Sequence, residues 1–91
     1  MVIKLSQLGN SLGTRRSAAD LRNKIISESN VELDFEGVSI VSNSFADELF
    51  GIFVKENGFD ALLQKVVIKN SNAEVTATIR KAIILRLNTK S

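Results

Sequence analysis

Few residue types in this chain can do chemistry. Its 91 residues include no His, Cys, Tyr or Trp. The base best suited to proton transfer near neutral pH is therefore missing. So is any thiolate, which removes a disulfide framework, a cysteine nucleophile and a thiolate metal site. An ordinary hydrolase or transferase is disfavoured; the reading expects no enzyme, no cofactor and no metal. The Ser, Asp, Asn and Arg residues that remain gather at three places. One is Ser39, Ser42, Asn43 and Ser44, followed by Asp47 and Glu48. A second is Arg15-Arg16, directly after SQLGNSLGT. The third is Asn70-Ser71-Asn72. Each reads as a point where a loop or strand gives way to a helix. In open α/β sheets, ligand and partner chemistry gathers at such points.

Arg15 and Arg16 open a helix, where cations oppose the helix dipole by about 0.3–1 kcal/mol each. Two readings stand. They hold a phosphate or carboxylate, or they are solvated or pair with Asp20. LGNSLG has neither a Lys-Ser/Thr ending nor G-x-G-x-x-G spacing, so it is not a phosphate-binding fingerprint.

The elements that position these groups centre on VELDFEGVSIVSNSFADELFGIFVKEN, Val31 to Asn57. Val31, Leu33 and Phe35 alternate with Glu32 and Asp34, the period of a strand buried on one side. A helix is predicted from Ser44, as N-cap, to Asn57, with Asp47 as its acidic N3 residue. Asp47, Glu48, Gly51 and Lys55 form its polar stripe, opposite Phe45, Leu49, Ile52 and Phe53. Phe50 and Val54 fall beside the polar stripe, where a monomer would leave them partly exposed. They either make a wide contact with neighbouring elements or form a partner or dimer surface beside Asp47 and Gly51. Gly51 costs roughly 1 kcal/mol against Ala in a helix, so something approaches it closely.

The remaining elements follow from the same patterns. Val2–Leu5 reads as a strand and Ser6–Thr14 as a loop. A helix capped by Thr14 and buried through Ala18, Leu21 and Ile25 runs to about Ser27. Glu36-Gly37 is a turn and Gly58 a helix stop. Phe59–Gln64 is a loop or one helical turn, with Phe59 and Leu62 plugging the core. Val66–Lys69 is the third strand. Asn72 caps a last helix that packs through Val75, Ile79, Ala82 and Ile83. Arg80, Lys81, Arg86 and Lys90 lie on its solvated outside, and Asn88–Ser91 fray.

Residues 1–91 read as one domain. A net charge of +2 is too small to indicate nucleic acid or a membrane surface. No apolar run approaches the roughly 18 residues of a membrane span, and MVIKLSQLGN lacks a signal-peptide core. The default location is the cytoplasm. The order β-α-β-α-β-α predicts a small, mainly parallel α/β sheet of three to four strands. The Glu32/Asp34 alternation places the helices mostly on one face.

LDFEGV followed by SNSFADELFG resembles the STAS-like domain family, a group of unknown function, and more distantly the STAS domains of anti-sigma-factor antagonists. The likeness extends from about Gly13 to Ile83. It implies a non-catalytic regulatory module that docks onto a GHKL-type ATPase or kinase-like protein. On this chain, the docking residues are Asn43, Ser44, Asp47, Glu48, Phe50, Gly51 and Val54. In the antagonists that kinase-like partner phosphorylates a serine in a D-S-S-G run. Here Ser42 stands at its aspartate, Asn43 at the phosphorylated serine, Ser44 at the second serine and Phe45 at the glycine. The acceptor position cannot be phosphorylated, so docking without that switch is favoured. The alternatives are a phosphorylation switch at Ser42 or Ser44, and a small anionic-ligand or nucleotide binder using Arg15 and Arg16. A homodimer is a further expectation.

Overall fold

The computed structural model describes residues 1–88. Strands β1 (Val2–Lys4), β3 (Val31–Asp34) and β5 (Val66–Lys69) form a parallel sheet in the order β1-β3-β5. A second, two-stranded parallel ladder joins β2 (Ser11–Leu12) to β4 (Ile40–Val41). Helices α1 (Arg15–Ile26), α2 (Asn43–Ala46), α3 (Ile52–Asn57), α4 (Phe59–Lys65) and α5 (Ala73–Asn88) complete the chain. A π-helical turn, Asp47–Gly51, joins α2 to α3. Among the described residues no helix is long and apolar enough to cross a membrane.

The alternation read in β3 is what orients the sheet. Val31, Leu33 and Phe35 are buried, and Glu32 and Asp34 are not. Parallel register sets Val2, Glu32 and Val67 in one row and Lys4, Asp34 and Lys69 in the next. That face is open: Val2 and Val67 are exposed, and Lys69 approaches Glu32 at 3.9 Å. The helices and their apolar side chains cover the opposite face. Asp34 Oδ1 accepts from Asn70 Nδ2 at 2.9 Å and from the Glu36 N–H at 3.0 Å. Those two bonds, the Asn70 one foremost, hold its carboxyl below the usual range.

Several expectations are corrected. The first strand ends at Lys4, because Leu5 turns into a short 3-10 turn, Leu5–Leu8, and is fully buried. Ser6–Thr14 is more than a loop, since Ser11–Leu12 pairs with β4. Phe59–Lys65 is a helix, and Phe59 is 37% exposed, so only Leu62 plugs the core there. Phe50 and Val54 are 1% and 4% exposed, core residues unavailable to any partner. Two causes combine. The segment from Asn43 to Asn57 is flanked by α1, α4 and α5, and its apolar side chains share one core with Val31, Leu33 and Phe35. The π turn also accommodates one extra residue, which rotates later positions away from a uniform 100° wheel. Lys90 and the last three residues' fraying lie outside the described residues.

Candidate functional site: the α1–α2–α5 corner

Two caps build the corner. Thr14 accepts a bond from the Ser17 N–H at 3.3 Å and starts α1. The cap of α2 is Ser42, not Ser44: its Oγ accepts from the Phe45 N–H at 3.0 Å and donates to the Gly13 carbonyl at 3.0 Å. The serine two residues earlier in the chain is the cap because β4 ends at Val41, one residue before it. Asp47 accordingly lies two residues deeper in the helix than an N3 residue. Asn72 caps α5 through the Val75 N–H at 2.7 Å and also donates to the Ser39 carbonyl at 3.1 Å. It thus ties the third corner to the loop entering β4.

The acidic pair lies in the π turn between α1 and α5, and three arginines converge on it. Arg86 makes a fork onto Asp47, Nε to Oδ1 and Nη2 to Oδ2, both 2.8 Å. Arg22 Nη1 donates to Glu48 Oε2 at 2.7 Å and also to the Glu48 carbonyl. Arg15 Nη1 reaches Asp47 Oδ2 at 3.2 Å and Glu48 Oε1 at 3.0 Å. The Arg86 fork is the main cause holding the Asp47 carboxyl below its usual range, and Arg22 does the same for Glu48. The two acids, next to each other in sequence, point about a quarter-turn apart, so one serves α5 and the other α1.

Gly51 is explained by the same clasp. A Cβ there would lie 2.5 Å from Asp47 Oδ1 and 2.9 Å from Arg86 Cγ. The close neighbour the glycine implied is α5 of the same chain. Arg15 is therefore engaged with carboxylates, rather than with Asp20 or free for an added anion. Arg16 is exposed and makes none of the corner contacts.

Of the expected docking residues, Asn43 and Ser44 stay exposed; Asp47 and Glu48 are half-buried in the clasp, and Phe50, Gly51 and Val54 are buried. Asn43 and Ser44 line a cleft of about 230 Å³ with Arg15, Asp47, Lys81, Ala82 and Leu85. Arg22, Arg86, Lys81 and Leu85 were missed as parts of this corner. Arg15 and Arg22 did carry a signal, seven residues apart on one helical face. Arg86 carried none, because only the tertiary packing brings α5 over the π turn. Among the described residues no His, Cys, Asp or Glu group is arranged to hold a metal ion.

The family model of the STAS-like domain of unknown function matches residues 17–76. The chain belongs to this family. The matched stretch spans most of α1, all of β3 and β4, the helix carrying Asp47 and Glu48, β5 and the start of α5. The STAS-like domain thus includes the corner except for Thr14, Arg15 and the later turns of α5. No curated protein and no solved structure matches the chain.

Proposed function

We propose that this STAS-like domain is a non-catalytic regulatory module that docks a protein partner through the corner formed by β4, the start of α2 and the facing side of α5. The observation that carries this reading is the contrast within the corner. The Arg15–Arg22–Arg86 clasp fixes its floor, while Asn43, Ser44 and Leu85 stand exposed around it. A rigid base under a small mixed polar and apolar rim suits recognition of another surface. The chain has no histidine, the side chain best suited to proton transfer near neutral pH, and the corner's two carboxylates are held ionised by their arginines.

The partner suggested by the family resemblance is a GHKL-type ATPase or kinase-like protein, and it is the first to test. Titration calorimetry with such a domain should show binding that Asn43→Arg and Leu85→Asp each weaken by about tenfold or more. Unchanged binding by both variants, with the fold intact by circular dichroism, would refute the surface. A phosphorylation switch is the second reading, and exposure favours Ser44 for it. Ser42 Oγ is already engaged as donor and acceptor. Mass spectrometry after incubation with the kinase-like partner and ATP decides between them.

A further inference from the structure

On the far side of α5 from the corner, α4, β5 and α5 enclose an apolar groove of about 470 Å³. Phe59, Leu63, Ile68, Ile84 and Leu87 line it and are all exposed by more than a third. Together they form one contiguous apolar surface, the kind of feature that marks interaction sites on soluble proteins. One wall is the edge of the sheet, because among the described residues β5 pairs only with β3.

The backbone of that edge is oriented outward. The Lys69 carbonyl accepts from the Phe35 N–H at 2.9 Å, so Lys69, and Val67 two residues earlier, turn toward β3. Ile68 then turns its N–H and carbonyl to the open side. Val66 agrees with that alternation: its N–H goes to the Leu62 carbonyl in α4, away from β3. An added strand would find a donor and acceptor at Ile68, with its alternate side chains over the groove.

The charge at this groove selects among occupants. Arg80 is the charged residue in its lining, and no acid lines it. Arg15, Arg22 and Arg86 are all held by carboxylates, whereas Arg80 has no ion-pair partner among the described residues. A second copy laid antiparallel on β5 would bring two Arg80 side chains to one shared groove with no lining carboxylate from either copy.

We infer that the β5 edge and the α4/α5 groove form a second docking surface, which takes an extended segment of a partner protein carrying alternate apolar side chains and a carboxylate that meets Arg80. This surface is separate from the corner, and neither reading depends on the other.

The test uses two end-blocked peptides, Ser-Val-Ser-Val-Ser-Glu-Ser and the same sequence with lysine for glutamate, titrated into the ¹⁵N-labelled chain. The glutamate peptide should shift the amides of Ile68 and of residues 80–87, and should bind about fivefold more tightly, an attraction gained and a repulsion avoided. Arg80→Glu, at an exposed position, should invert that preference, and Ile84→Glu should weaken both peptides. Shifts confined to Asn43 and Ser44, no shift at Ile68, or a preference unaltered by Arg80→Glu would overturn the inference. So would sedimentation equilibrium showing self-association of the wild type that Ile84→Glu abolishes, since a second copy would then own the groove.

Discussion

Replacing Asp47 by alanine tests whether the clasp is structural or merely a set of surface charges. Asp47 and Arg86 side chains are 21% and 26% exposed, and their fork has two bonds of 2.8 Å. Bonds to charged groups contribute about 1.5–3 kcal/mol net, against about 0.2–1 kcal/mol for an exposed pair. Partial exposure places this fork near the lower end of the first range, at about 2 kcal/mol. Truncation also leaves the Arg86 guanidinium half-covered without its carboxylate, which acts in the same direction. For a chain of this size about 2 kcal/mol corresponds to a fall in Tm of roughly 8–16 °C. An exposed pair, at about 0.2–1 kcal/mol, would move it by no more than about 8 °C.

The assay is urea and thermal unfolding followed at 222 nm for Asp47→Ala, Arg86→Ala and the double variant. The cycle should return a coupling of about 1.5 kcal/mol. Arg86→Lys should recover little, because it keeps the charge but loses the fork. Single variants that each cost less than about 0.5 kcal/mol, or a cycle with no coupling, would refute the argument that Asp47 fastens α5 to the central helix.

Four further outcomes follow from the same contacts. Gly51→Ala should destabilise by about 1 kcal/mol despite alanine's better helix propensity, since its Cβ meets Asp47 and Arg86; in the Asp47→Ala background, where the closest of those contacts is gone, the same change should cost measurably less, read from the urea midpoints. Phe50→Ala should cost about 3–5 kcal/mol as a core truncation, seen as loss of the cooperative melt near room temperature. Ser42→Ala should cost about 1 kcal/mol as a lost cap, while Ser44→Ala should stay within about 0.5 kcal/mol, both by thermal melts. Asp47 and Glu48 have folded-state pKa values below their unfolded ones. Their contribution is therefore complete above the ordinary carboxylate range, near pH 4, and is lost as pH falls through the lowered values. Tm measured downward from pH 5 should fall more steeply for wild type than for Asp47→Asn/Glu48→Gln.

What could be read from the residues and what could not divide along a physical line. Period-2 alternation in Val31–Phe35 reports burial directly, because a strand's two faces see different surroundings whatever else packs nearby; it oriented the sheet correctly. Thr14, Gly58 and Asn72 were legible for a similar reason, since a helix terminus is satisfied within a few residues of itself. The helix carrying Phe50 failed under the same logic. A uniform 100° wheel assumes an unbroken α-helix with one buried side, and this segment has a π turn and neighbours on three sides. The carboxylates and arginines of the clasp are 26 to 39 residues apart in sequence, so their meeting depends on the whole fold. The seven-residue spacing of Arg15 and Arg22, a signal that went unread, puts both on one face of α1, yet nothing in α1 says which acid they face. The corner's chemistry was therefore legible as a place but not as a set of partners. That difference matters for function: the side chains that looked most available, Phe50 and Val54, hold the core, and Lys81, which looked like ordinary solvated surface, lines the cleft beside the clasp together with Leu85.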